Sequence, residues 1–385
     1  MEYSEAMREL RDEEAAFSLG VEEEYFLVDA ATGQVAHEAP ESLFEEARAV
    51  TEGRIEHEFL RAQAETVTRP CLTMDQVRTE LRFARTTLVD VAARHGLAIA
   101  AAGTHPTAIW RGAVYSDDER YDRVMSELQM IGERNMLCGM HVHVALPDPT
   151  RRVEVMRRIL PFLPLFIALA ASSPFWMSRL TGLKAYRLSA YNELPRTGLP
   201  ELFYQPEEYD DYCNALIEVG AIPDPSHLWW AIRPSHKYPT LELRAPDTCT
   251  RLDDAVAIAA LYRALVRHLY VDPGCNADVN GVARAVAVEN KWRAQRYGVQ
   301  GSFATRDGPL SVADFLEKTI ALVAEDADLL DCMDEIAHCR SIVARGSSAD
   351  RQIEIYQEAA EAEGVEAALH KVTGWIIAET ARKGP

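Results

Sequence analysis

The sequence predicts an α+β fold built on a largely antiparallel sheet. Three observations carry this. Strand-like and helix-like stretches alternate through residues 17–250. Several of the connections between strands are too short or irregular to be βαβ crossovers, which need a dozen residues or more. From Asp253 onward nearly everything reads as helix.

The first strand is 17–28, "FSLGVEEEYFLV", rich in aromatic and branched residues and closed by the turn-like "DAATGQ". Residues 54–71, "RIEHEFLRAQAETVTRPC", read as one long strand or two pieces. A helix follows in "LTMDQVRTELRFARTTLVDVAARHG", with Thr73 as N-cap, Gln76 at the capping-box position and Gly96 past the end. "LAIAAAGTHP" is a buried strand running into a turn, and "NMLCGMHVHVALPDP" is a strand stopped by Pro147 and Pro149. Residues 151–171 are helical; the apolar run 159–171 is too short to span a bilayer and is interrupted by Pro161 and Pro164, so a kinked, buried helix is expected. Residues 173–235 are rich in Pro, Tyr and Trp and resist assignment. "YPTLELRAPD" is another strand. Helical periodicity then runs through "AVAIAALYRALVRHLY" and "DFLEKTIALVAEDADLLDCMDEI". No linker composition separates the halves, so one domain over 1–385 is expected, sheet-rich in 17–250 and mainly helical in 251–380. The stretch "RGAVYSDDERYDRV" (111–124) reads as a loop entering a helix, a candidate lid.

The bulk numbers bound the function. A formal net charge of −20 over 385 residues argues against a nucleic-acid partner and against anionic membranes. It leaves room for a small phosphate-bearing ligand, since a metal ion or local arginines override the global field. Seven scattered cysteines without a CxxC pair read as free thiols in a reducing compartment. The acidic N-terminus lacks the apolar core of a signal peptide, and a cytoplasmic location is expected. A homo-oligomer is compatible with this composition.

The period of two along a strand sorts the polar residues. Glu22 and Glu24 share one face and Glu23 takes the other. In "AQAETVT", Glu65 lies on the face of Gln63 and Val67. His141 and His143 share a face, with Val142 and Val144 opposite. Glu242 and Arg244 share a face, with Leu241 and Leu243 opposite. Glu58, seven residues before Glu65, joins the set if the strand bulges or breaks between them. A half-buried face lined by carboxylates is unfavourable alone, because like charges raise each other's pKa. Divalent cations remove that penalty, and carboxylates with one or two imidazoles suit Mg²⁺ or Mn²⁺. Mg²⁺ is commonly completed by substrate phosphates. Such a sheet therefore predicts a nucleotide-phosphate site, and neither GxxxxGK[ST] nor GxGxxG is present. Candidate cations to neutralise a moving phosphoryl group are Arg187, Arg233, Arg244, Arg293 and Arg296. A zinc hydrolase built on His141 and His143 is a competing reading, as is a binding protein without turnover.

Taken in order, "GVEEEYFLVD", "AQAETVT", "GTHP", "GMHVHVALPD", "WWAIRPS", "TLELRAPD" and "ENKWRAQRYG" resemble the bacterial carboxylate–amine ligases of the glutamate–cysteine ligase type 2 family, over residues 17 to 300. The resemblance implies the glutamine-synthetase-like catalytic fold, an antiparallel sheet lining an active-site funnel and flanked by helices. It implies ATP and Mg²⁺ (or Mn²⁺) as cofactors and small-molecule carboxylate and amine substrates. Glutamate, cysteine and ATP would give γ-glutamylcysteine, ADP and phosphate through an acyl phosphate; a different amine or carboxylate is the alternative. On this resemblance Glu22, Glu24, Glu58, Glu65, His141 and Glu242 are the metal ligands. His141 and Arg244, with Arg293 and Arg296, attend the nucleotide; Arg187 and Arg233 attend the substrate; Arg244 and Glu65 serve the chemistry itself.

Overall fold

The computed structural model describes residues 16–111, 113–116 and 125–382; most of the candidate lid lies outside them. Its centre is the 11-residue strand β1, Leu19–Asp29. Odd positions of β1 from Leu19 to Leu27 are apolar or aromatic but for Glu23, and even positions carry Glu22 and Glu24, so the pleat separates them automatically. Around β1 lie β2 (Ile55–His57), β3 (Gln63–Val67), β4 (Leu97–Ala100), β5 (Met140–Ala145), β8 (Ile232–Pro234) and β9 (Thr240–Leu243), in the order β2-β3-β1-β5-β9-β8 with β4 also on β1. Every pairing in this seven-stranded sheet is antiparallel. β5 and β4 share one edge of β1, on residues 19–23 and 26–29 respectively.

The 54–71 stretch is two strands, broken at Glu58–Ala62, where Glu58 N–H donates to Gln63 O at 3.3 Å and Gln63 N–H to Leu60 O at 2.9 Å. One face of the sheet is apolar. Leu19, Val21, Met140, Val142, Val144, Leu241 and Leu243 are fully buried in a core shared with the helices Arg152–Ile159, Leu163–Ala170 and Leu252–Val271. Farther along, Tyr25, Leu27, Ile55 and Ala64 pack with the helices Glu41–Thr51 and Met74–Arg94. Each such Val, Leu, Ile or Met side chain contributes about 1.5–3 kcal/mol on burial. A one-residue register slip would put the glutamates into this core, so the pattern pins the register.

The Met74–Arg94 helix starts as expected. Thr73 Oγ1 accepts the Gln76 N–H and Gln76 Oε1 accepts the Thr73 N–H, while Gly96 turns the chain at φ +70°. Pro161 and Pro164 each fall in the first turn of a new segment, breaking the apolar run into Arg152–Ile159, a 3₁₀ turn and Leu163–Ala170. Among the described residues the strands of the mainly helical C-terminal part form one hairpin, β10 (Ser302–Thr305) with β11 (Gly308–Ser311); a two-residue pair, β6 (Phe175–Trp176) with β7 (Arg179–Leu180), interrupts the unassigned middle. Among the described residues no helix is long and apolar enough to cross a membrane.

Glu23 occupies the apolar side of β1 and is fully buried. Arg85 clamps it through Nε (2.9 Å) and Nη2 (2.5 Å), and the Tyr25 hydroxyl donates to it at 2.5 Å. The same guanidinium donates to the Cys249 and Thr250 carbonyls at 2.8 and 3.1 Å. Glu23 thus fastens the Met74–Arg94 helix and the 249–250 segment to the back of the sheet.

Candidate active site

The polar face forms the floor of a cleft of about 990 Å³ lined by Glu22, Glu24, Glu58, Glu65, His141, His143, Arg233, Glu242 and Arg244. Register sets their spacing. Glu22 pairs directly with His141, Glu24 with Glu65, and His143 with Glu242, which in turn faces Arg233. Directly opposed residues share a face, so four sheet pairings collect the cluster from five strands.

His141 Nδ1 lies 3.1 Å from Glu22 Oε2, and its Nε2 lies 3.6 Å from Glu24 Oε1. His143 Nδ1 meets Thr240 Oγ1 at 2.8 Å and its Nε2 lies 3.3 Å from Glu22 Oε1. Glu24 Oε2 accepts the Gly139 N–H at 2.5 Å. Glu242 is gripped by Arg233, with Nε at 2.8 Å and Nη2 at 3.2 Å, and by Arg244 Nη1. Arg233 Nη1 also donates to the Ser226 and Leu228 carbonyls, at 2.6 and 2.9 Å. Arg244 Nη2 reaches the Tyr191 hydroxyl at 3.5 Å, and its buried Nε has no partner.

The electrostatics divide the carboxylates. Burial alone would raise Glu22, but His143 and His141 hold it well below the usual carboxylate range. Burial likewise opposes ionisation of Glu242, and Arg233, Arg244 and His143 overcome it. Glu65 goes the other way: burial, then Glu22, Glu58 and Glu24, push it well above the usual range, and Arg244 offsets only part. Burial and Arg244 lower His141, so its imidazole is neutral near pH 7 and able to donate a lone pair. Burial also opposes charging of His143, yet Glu22 and Glu242 raise it.

Two donor groups fit a divalent cation: Glu22, His141 and Glu242, and Glu24, Glu65 and His141, each with ligand atoms within 4.8 Å of one another. Three observations of the chain support the fit. The donors are mostly carboxylate oxygens, as hard cations require. The buried Nε2 of His141 has no hydrogen-bond partner. The repulsion that raises Glu65 is the kind that a bound cation relieves. Among the described residues His143 enters neither group, which weighs against a zinc site made of both imidazoles.

The structure removes three of the expected arginines from the cleft. Arg187 is buried behind the floor, with Nη1 donating to the Arg244 and Pro246 carbonyls at 3.3 and 3.2 Å. Arg293 is spent on the hairpin: Nε donates to Ser302 O at 2.5 Å and Nη2 to Ser302 Oγ at 2.8 Å. Arg296 is exposed and stacks on Tyr297, 5.2 Å from the ring centroid. None of the three lines the cleft. Their motifs point to packing contacts, because the guanidinium fork binds backbone carbonyls as readily as it binds anions.

Other cleft residues carried no signal that single-sequence reasoning used. Tyr191, Trp229, Lys237 and Asn135 line it. Of the "WW" pair, Trp230 is buried and stacked on Tyr212 at 5.6 Å, whereas Trp229 faces the cleft beside Arg196. Strand alternation through "WWAIRP" would have separated them. The "HKY" segment that precedes the last strand puts His236, Lys237 and Tyr238 on the cleft wall.

This sheet, with its acidic face turned into a cleft and its helices behind, is the glutamine-synthetase-like ligase fold. It superposes on glutamate–cysteine ligase from Francisella tularensis, solved in complex with AMP, with a TM-score of 0.70 at 13% identity, over 96% of this chain and 90% of that one. A bifunctional glutathione synthetase from Pasteurella multocida matches with a TM-score of 0.69 at 14% identity, over 94% of this chain and 53% of that one. The chain belongs to glutamate–cysteine ligase family 2, whose family model matches residues 18–370. A relative from Bradyrhizobium diazoefficiens is 54% identical over 370 residues, 96% of this chain and 85% of the relative; its name, glutamate–cysteine ligase 2, is itself provisional.

Proposed function

We propose that this protein is an ATP-dependent carboxylate–amine ligase that joins glutamate, through its γ-carboxylate, to the amine of cysteine. The observation that carries the proposal is the cleft floor. Two carboxylate–imidazole donor groups share His141 beside the Glu242 carboxylate that Arg233 and Arg244 hold.

In the proposed reaction a carboxylate oxygen of glutamate attacks the γ-phosphorus of ATP, and ADP leaves. The amine then attacks the acyl carbon, phosphate leaves, and the amine proton passes to a base. Bringing a triphosphate to a carboxylate requires positive charge on both. Glu22, Glu24, Glu58, Glu65, His141 and Glu242 would hold Mg²⁺ or Mn²⁺, which neutralises phosphate charge and orients the transferring group. Arg244 would stabilise charge on the moving phosphoryl group, a role supported by the contacts with Glu242 and Tyr191 that fix its fork in advance. Glu65, on the strand next to Glu24, is the second group assigned to the chemistry. Arg233 braces Glu242 and the 226–228 turn, so the wall carrying Trp229 is tied to the metal-side carboxylates.

The test is phosphate release with Mg-ATP, glutamate and a panel of amines. Turnover requiring both a carboxylate and an amine, greatest with glutamate and cysteine, is expected. No turnover with any pair, in protein carrying tightly bound zinc, would overturn the ligase in favour of a hydrolase.

A further inference from the structure

Arg187 is fully enclosed behind the cleft, and several of its contacts lead to residues that carry cleft-facing groups. It sits at the start of the short helix Arg187–Tyr191 and is 2% exposed. Its Nη1 hydrogen-bonds to the carbonyl of Arg244 itself and to that of Pro246. Its guanidinium carbon lies 5.6 Å from the centroid of the Tyr191 ring, whose hydroxyl meets Arg244. On the other side it fills the space where a side chain at residue 139 would go: a Cβ built on Gly139 would overlap Nη2 and Cζ of Arg187. Gly139 is the residue whose N–H holds Glu24 Oε2 at 2.5 Å and whose carbonyl accepts the Thr248 hydroxyl at 2.7 Å. One planar cation therefore touches the backbone carrying Arg244, the ring carrying the Tyr191 hydroxyl, and the glycine that orients Glu24.

A charge partner stands behind it. Asp247 is 1% exposed, accepts the Ser172 N–H at 3.0 Å and the Ser173 hydroxyl at 2.6 Å, and leaves Oδ1 without a hydrogen-bond partner. Ser173 Oγ also receives the Arg187 N–H at 3.0 Å. The pair could exist only to neutralise buried charge. Geometry argues for more, because the guanidinium plane occupies the gap at Gly139 and no side chain there could replace it. Lysine would supply the charge without the flat fork.

We infer that Arg187 is a positioning residue, which through Gly139 and the Arg244 carbonyl sets Glu24 and Arg244 at the spacing the cation and the phosphoryl group need. This rests on the ligase reading above. Partners outside the ligand shell typically change metal affinity or activity 10–100-fold, and a loss of at least tenfold is expected here.

The experiment compares three variants with wild type in Mn²⁺ affinity, read by electron paramagnetic resonance in the presence of ADP, in ATP turnover and in thermal melting. Arg187→Met leaves Asp247 buried without its cation and is prone to unfold. The double variant Arg187→Met/Asp247→Asn removes both charges. It is expected to recover the melting temperature, yet to bind Mn²⁺ at least tenfold more weakly and to turn over at least tenfold more slowly. Gly139→Ala keeps Arg187 but displaces it, and is expected to show the same losses. If the double variant regains wild-type Mn²⁺ affinity and turnover together with its melting temperature, Arg187 only balances charge and the inference is overturned. Wild-type affinity in Gly139→Ala overturns it equally. Wild-type protein that neither binds Mn²⁺ nor turns over ATP would instead overturn the ligase reading beneath it.

Discussion

Replacing Glu23 by Gln changes one heavy atom, yet it removes the only carboxylate that Arg85 touches among the described residues. Arg85 is 4% exposed and Glu23 is fully buried. The charge left behind keeps two backbone carbonyls, of Cys249 and Thr250, and a neutral amide. Breaking one side of a buried ion pair costs about 3–5 kcal/mol. Unfolding entropy of about 2.1 cal/mol/K per residue gives about 0.8 kcal/mol/K for 385 residues. The melting temperature should therefore fall by about 4–6 °C. The comparison variant is Glu22→Gln, one residue away on the other face. Both are melted by differential scanning fluorimetry in EDTA and then with Mn²⁺ and ADP. Glu23→Gln is expected to melt early but to keep the upward shift on adding Mn²⁺, because ligand binding to the native state stabilises it by mass action. Glu22→Gln is expected to lose that shift, and ATP turnover with it. Glu23→Gln melting within 1 °C of wild type, or losing its Mn²⁺ shift, would refute the assignment of the two faces.

Other outcomes follow from the same contacts. EDTA should abolish turnover, and Mg²⁺ or Mn²⁺ should restore it, measured by phosphate release. Burial raises Asp247 to about 6, against the restraint of Arg187. The folded state then holds a proton that the unfolded state has lost, so this group contributes stability that declines as pH rises toward 6 and is gone above it. Denaturant unfolding at pH 5 and pH 7 should show Asp247→Asn gaining about 1.4 kcal/mol on wild type over that interval. Lys291 is 6% exposed and burial depresses it to about 8. Its charge costs stability below pH 8, and that cost disappears as pH rises from 8 to 10.5, where the folded lysine is already neutral. Lys291→Met should therefore stabilise by up to about 3 kcal/mol at pH 7, with the gain shrinking above pH 8.

The parts of the fold legible in the sequence were those set by neighbours in the chain. The capping box at Thr73 and Gln76, the breaks at Pro161 and Pro164, and the alternation through "EEE", "HVHV" and "LELR" all appear where local rules place them. The interruption that separates Glu58 from Glu65 was foreseeable only as a bulge or break, and proved to be a loop between two strands. The roles of the arginines were less accessible. Arg233 and Arg244 stand in or next to strands, so the pleat aims them at the cleft. Arg187, Arg293 and Arg296 sit on helices, where reach depends on what packs alongside.

By itself, then, the sequence determined that Glu22, Glu24, Glu65, His141, His143 and Glu242 would each face one way from a strand, because side-chain direction in a pleated chain depends on position alone. It also placed Glu23 on the opposite side. Only the tertiary structure decided that the faces of the four strands coincide, since that requires the register between β3, β1, β5 and β9. It likewise decided that Glu23 is held by an arginine 62 residues away and that Arg187 spends its charge behind the floor. Long flexible cations take the nearest buried acceptors, and those acceptors are brought together only when the chain folds.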